Sequence, residues 1–255
     1  MLHLSQRYET SLNSFKRFDP NDWDQLSKRI TFRLMNKKVF SATYDEDILH
    51  QNCLDLTKVF IVSELSDDRK YISSYDLKEK DLENFNKDEK DLFTIISDNI
   101  KNDATVRIQR FTENITAREV MYPLIKIPSN SSIASSSSSL IQDFSEKEDK
   151  DNILILTNKY NVYGASHMFN FKALSEVYNR IKGNFYIVPT SIHEVMCVSE
   201  DYVCINKTLS QAEDDLLDML YEMNDKNDDE NVLSYKIYKY YADDGHILMP
   251  IKQSL

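Results

Sequence analysis

Glycine is scarce in this chain: Gly164, Gly183 and Gly245 are the three in 255 residues, and none lies near another. A P-loop or dinucleotide turn needs several glycines within a few residues so that backbone can approach a phosphate. Binding of ATP, GTP or NAD by those routes is therefore excluded. Cysteine is sparse as well. Cys53, Cys197 and Cys204 are odd in number and show no C-x-x-C or Cys/His spacing suited to zinc. The histidines His3, His50, His167, His193 and His246 stand singly, and no H-E-x-x-H occurs. No metal or other cofactor is expected. Thiols without a disulfide framework suit a reducing compartment. No apolar run approaches the roughly eighteen residues of a membrane span, and the opening MLHLSQRYETSLNSFKRF lacks an apolar signal region. These absences predict a cytoplasmic protein with no membrane association.

What is present is acid and enough apolar material for a core. A hydrophobic content of 41% excludes disorder of the whole chain. The net charge of −11 repels the phosphate backbones that basic surfaces bind by releasing counterions, so direct nucleic-acid binding is not expected.

Periodicity predicts an α+β fold of antiparallel sheets covered by helices, in two lobes. The clearest break is PSNSSIASSSSSLIQDFSEKEDKDN, where serine and then charge replace apolar periodicity. It is read as a loop or linker over 128–152 between an N-terminal lobe, 1–127, and a C-terminal lobe, 153–255. In the first lobe, DPNDWDQLSKR reads as a short helix capped by Asp19 or Asn21, and Ile30, Phe32 and Leu34 alternate as in a half-buried strand. CLDLTKVFIVSEL and RKYISSYDL read as a hairpin joined by Ser66-Asp67-Asp68. Leu92, Ile95, Ile96 and Ile100 share one helical face, and ATVRIQRF is a further strand. The second lobe reads as β-β-α-β-β-α-β. NILILT and NVYGAS flank Asn158-Lys159-Tyr160. The helix NFKALSEVYNRIK buries Ala173, Leu174, Val177, Tyr178 and Ile181 and ends with Gly183 at C′. After the strand NFYIVP, a Glu200-Asp201 turn would set Cys197 opposite Cys204. Ser210 and Glu213 form a capping box for a helix whose core face is Leu216, Leu217, Leu220 and Met223. The tyrosine-rich LSYKIYKYYADD closes the lobe as an edge strand.

The run Leu156-Thr157-Asn158, then Tyr163-Gly164-Ala165, then Phe185 to Val195 (FYIVPTSIHEV) resembles the pattern LTN…GA…DLYILPSSIHEV. That pattern ends members of a bacterial domain-of-unknown-function family abundant in anaerobic gut Gram-positive bacteria. The first half is similar too: Arg29 to Asn36 looks like the family's RIVYRLIN, and Leu54-Asp55-Leu56 with Val59-Phe60 looks like its LDLAIVF. The likeness runs from about Phe18 to Tyr241. Thr190 stands where the family usually has serine, an N-terminal Asn-Asn-Gly segment is absent, and the serine-rich stretch looks like this chain's own insertion. The resemblance implies a fold and a bacterial origin, and no activity.

Ser191, His193 and Glu194 are the sharpest candidates for chemistry. On a strand Ser191 and His193 would share one face and Glu194 the other, so Glu194 could not orient the imidazole and an acid from elsewhere, such as Asp55, would be required. The serine also lacks a glycine-flanked elbow and an evident oxyanion hole. The competing reading is a polar corner in which Ser191 or His193 satisfies buried backbone groups. A second feature is the acidic stretch 213–230, where Asp214, Asp215, Asp218 and Glu222 form either a solvated helix face or a surface for a basic protein partner. The expected function is that of a non-catalytic cytosolic protein acting through protein–protein contacts, encoded on a mobile element or phage. The alternative is a hydrolase-type enzyme using Ser191 and His193, with Asp55. A further alternative is an acidic inhibitor that mimics nucleic acid.

Overall fold

In a computed structural model, residues 19–65, 72–111, 151–241 and 247–251 are described, and the chain divides into two compact units, Met1–Ala104 and Thr105–Leu255. The serine-rich and charged stretch 128–152 lies outside the described residues except for Asp151 and Asn152, and so does the Ser66-Asp67-Asp68 turn.

In the first unit the short helix α1 (Trp23–Leu26) is capped by Asp22, not by Asp19 or Asn21: the Asp22 carboxylate accepts from the backbone N–H groups of Asp24 and Gln25. Strand β1 (Ile30–Asn36) runs into helix α2 (Lys37–Thr43), for which Asn36 is the cap. The CLDLTKVFIVSEL run is not one strand. Strand β2 (His50–Cys53) and strand β3 (Leu56–Leu65) are separated by the two-residue turn Leu54-Asp55, with Leu54 left-handed at φ 61°. Asp55 therefore sits in a turn, half-buried, and its carbonyl accepts from the Lys37 N–H. Strand β4 (Ile72–Asp76) pairs antiparallel with β3, as a hairpin partner should. One edge of β3 takes β1; the other takes β2 and β4 laid end to end. They meet at Phe60, whose N–H donates to Leu49 and whose carbonyl accepts from Leu77, while the Leu49 N–H donates to the Leu77 carbonyl. After the short helix α3 (Glu79–Glu83), helix α4 (Glu89–Lys101) buries Leu92, Ile96 and Ile100, leaves Ile95 half-buried, and sets Phe93 edge-on against Phe60 at 5.6 Å. On the opposite face, buried Arg33 donates to both the Tyr44 hydroxyl and the Asp76 carboxylate at 2.8 Å, which explains how a strand position outside the alternation can be buried.

The second unit begins with strand β5 (Val106–Arg110) and strand β6 (Ile153–Asn158). NVYGAS is not a strand: Asn161 and Tyr163 are left-handed and a 3-10 helix covers Gly164–Phe169. Asn158 imposes this, since its side-chain oxygen accepts from the Tyr160 and Val162 N–H groups and its amide donates to the Val162 carbonyl at 2.7 Å. Helix α5 (Phe171–Ile181) follows, capped by Asn170. The left-handed residue at its end is Lys182, φ 60°, and not Gly183. Strand β7 (Phe185–Val188) pairs with strand β8 (Val195–Ser199). DYVCIN is not a strand either. Residues Glu200–Val203 form the short helix α6, so Cys197 lies opposite Leu154 and Ile187, while Cys204 caps that helix. Helix α7 (Leu209–Asn224) is boxed by Thr208 and Gln211, two residues earlier than Ser210 and Glu213. Strand β9 (Tyr238–Tyr241) and strand β10 (Ile247–Pro250) complete an all-antiparallel sheet of order β10-β9-β7-β8-β6-β5. With β10 outside it, β9 is interior and not an edge, which accounts for Tyr238 and Tyr240 being fully buried.

Alternation along these strands makes both faces apolar. Ile155, Tyr186, Val188, Met196 and Val198 pack against Leu216, Leu217, Leu220 and Met223 of α7. The other face carries Leu154, Leu156, Phe185, Ile187, Cys197 and Tyr240, and Tyr240 meets Ser175 of α5. Buried Lys239 tethers α6 through Glu200 at 2.6 Å and lies against the Tyr186 and Tyr241 rings, while the Tyr186 hydroxyl donates to Glu213 of α7 at 2.9 Å.

Candidate functional site

The chain between β7 and β8, Pro189 to Glu194, is a loop and not a continuation of either strand, so strand alternation does not set its side-chain directions. It is closed internally. The Glu194 carbonyl accepts from the Thr190 hydroxyl at 2.9 Å and from the Ser191 N–H at 3.3 Å. Ser191 Oγ accepts from the backbone N–H of His193 at 3.0 Å, a serine turn within the loop. From the segment after α7, the Asn227 amide donates to the Thr190 carbonyl and the Asn231 carbonyl accepts from the Ile192 N–H. The structure thus joins Ser191 to His193 through His193 backbone, not through its ring.

The His193 ring is held from the other side of the corner. Its Nδ1 accepts from the Tyr163 N–H at 3.2 Å, and the two rings lie 5.9 Å apart. A backbone amide can only donate, so Nδ1 is unprotonated and Nε2 carries the proton of the neutral ring. In this arrangement His193 presents a donor at Nε2, whereas a general base for a serine needs an unprotonated nitrogen facing the hydroxyl. Burial pushes the ring's pKa below the ordinary histidine value.

Residues that sequence reasoning did not single out complete the corner. Thr157 Oγ1 donates to the His193 carbonyl at 2.9 Å. Gly164 is wedged behind this bond: a Cβ there would meet Thr157 Oγ1 at 2.4 Å, the His193 carbonyl at 2.6 Å and the Asn158 nitrogen at 2.7 Å. The signal lay in the quoted blocks themselves. Leu156-Thr157-Asn158 and Tyr163-Gly164-Ala165 are near one another in sequence, Ser191 to Val195 lies some thirty positions on, and the three meet at one point.

Asp55 belongs to the first compact unit, and Ser191 and His193 to the second. Asp214, Asp215, Asp218 and Glu222 are all exposed on the outward side of α7, where Lys207 pairs with Asp215. The same side carries Tyr221, 40% exposed, its ring 5.8 Å from that of Tyr235, 43% exposed. Among the described residues, no three His, Cys, Asp or Glu side chains come together as a metal-binding group, and no helix is long and apolar enough to cross a membrane.

No curated protein and no solved structure matches the chain. One family does, over nearly the whole length, and it includes both units and all three segments of the corner: the chain belongs to the Family of unknown function (DUF5688), which matches residues 2–242.

Proposed function

We propose that this chain is a non-catalytic protein that acts through protein–protein contacts, with the outward face of α7 receiving a basic partner. The observation that carries this reading is the composition of that face. Asp214, Asp215, Asp218 and Glu222 project together, beside the exposed Tyr221–Tyr235 pair. Carboxylates steer a cationic partner over about a Debye length, ~8 Å at physiological salt, and tyrosine is enriched where protein surfaces bind one another. The internally bonded SIHEV corner supports the non-catalytic part, because Ser191 Oγ and His193 Nδ1 both accept from backbone amides. A cytoplasmic setting is supported by Cys53, Cys197 and Cys204 being free thiols. Origin in anaerobic gut Gram-positive bacteria belongs to the same proposal and rests on the likeness of the sequence blocks; encoding on a mobile element or phage is proposed with it.

The test is capture of partners from the native host, followed by binding measurements with the quadruple variant Asp214→Asn, Asp215→Asn, Asp218→Asn and Glu222→Gln. The variant should fold normally, because exposed charges contribute little to stability. It should bind the captured basic partner more weakly, with a shallower dependence on salt. Unchanged affinity and salt dependence would reduce the acidic face to a solvated surface. Labelling of Ser191 by a serine-directed phosphonate would favour the hydrolase reading instead.

A further inference from the structure

We propose that His193 is an acid-sensitive latch: its neutral ring fastens the Asn158–Tyr163 loop to the β7–β8 corner, and protonation at Nδ1 releases that loop while the sheet stays intact. The geometry separates two kinds of tie. Thr157 Oγ1 to the His193 carbonyl joins β6 to the corner through groups that do not titrate. The Tyr163 N–H to His193 Nδ1 joins the loop to the same residue through a nitrogen that accepts only while unprotonated. Once Nδ1 carries a proton, two donors face each other, and the Tyr163 amide, held by a left-handed backbone at φ 55°, loses its acceptor. The Asn158 side chain shapes the turn from within by bonding Tyr160 and Val162, and the Lys159 N–H holds its near end to the Thr105 carbonyl at 2.8 Å, so release frees the Tyr163 end of the turn without dissolving it.

The titratable and charged groups of the surrounding elements are few. Tyr163 faces it from the start of the 3-10 helix, which also carries buried His167, and the latched loop carries Lys159, whose ammonium lies over the Tyr160 ring. Thr157 and Asn158 from the end of β6, and Asn227 and Asn231 from the segment after α7, are uncharged. Within its own loop the charged neighbour is Glu194, whose backbone carbonyl is engaged by Thr190 and Ser191. Burial depresses the ring's affinity for a proton, so release comes at a pH below the ordinary histidine midpoint of about 6.5.

Amide hydrogen exchange read residue by residue on the full chain tests this, with the His193 ring followed by NMR from about pH 7.5 to about pH 4.5. After correction for intrinsic exchange, protection of the Tyr163 amide should fall about ten-fold or more as the ring protonates, while amides of β7 and β8 stay protected. His193→Asn, whose Oδ1 accepts near the position of Nδ1 and does not titrate, should keep Tyr163 protection flat with pH. Protection that is flat in the native chain, a ring that stays neutral throughout the range, or the same acid loss in His193→Asn would each overturn the latch. Should the variant fail to fold, ring nitrogen shifts in the native chain decide: a protonated Nδ1 at neutral pH overturns it.

Discussion

Gly164 shows how narrowly the corner is built. A methyl group there would run into a hydroxyl, a carbonyl and a backbone nitrogen at once, and two of those are backbone atoms of other segments. Gly164→Ala should therefore destabilise the fold by about 1–3 kcal/mol, as overpacking does. Gly183→Ala, with nothing within 4 Å of an added Cβ, should leave the chemical denaturation midpoint nearly unmoved. His193→Ala removes the acceptor for the Tyr163 amide and should cost about 1–3 kcal/mol by the same measurement. The pH dependence has a definite sign. The folded ring binds its proton less readily than the unfolded one, whose pKa is about 6.5, so stability is fully present above that value and declines as pH falls from it toward the lower folded value. Urea titrations at successive pH values in native chain and His193→Asn should diverge below about pH 6.5 and coincide above it. Cysteine chemistry is separable in the same way. Cys197 is fully buried and its thiol pKa is pushed up by burial, whereas Cys204 is partly exposed. An alkylating reagent should modify Cys204 in the native state and reach Cys197 only on unfolding.

Elements whose signal was apolar periodicity were legible in the sequence; elements decided by a single polar side chain were not. Of the stripes as read, Leu92, Ile96 and Ile100 on α4 and Ala173, Leu174, Val177 and Ile181 on α5 lie buried, while Ile95 and Tyr178 at their margins are half-buried, because spacing near 3.6 residues places them on one face whatever the tertiary context. NVYGAS and DYVCIN carry β-branched and aromatic residues and read as strands, yet each coils. Asn158 captures the first turn with its own side chain, and the second begins a helix straight after Ser199, with the Cys204 N–H donating to the Glu200 carbonyl. Two-residue turns fared no better, since Leu54 adopts a left-handed backbone that leucine rarely takes and that no residue rule announces. The candidate site was legible as a block of residues and not as an arrangement: the histidine's acceptor role depends on Tyr163, some thirty positions away. The cap of α7 permits a direct check. Thr208→Ala should cost about 1 kcal/mol, within the 0.5–2 typical of lost caps, and Ser210→Ala much less. Equal effects would mean that the helix begins where sequence alone placed it.

At the scale of the whole chain, the division between Ala104 and Thr105 assigns β5 to the six-stranded sheet. Arg180 reinforces this by donating to the Ile108 carbonyl and, with Arg110, to Asp151. A fragment starting at Thr105 should therefore melt cooperatively. One starting at Ser129 would lose β5, bare the edge of β6, and melt at a lower temperature or aggregate, as circular dichroism and light scattering would show. The β7–β8 corner has one more consequence, which concerns how the sequence can change. Between β7 and β8, where five residues carry the corner's hydrogen bonds, a single insertion would break the Thr190–Glu194 and Ser191–His193 bonds together. Length variation among relatives should accordingly be absent from the short SIHEV loop.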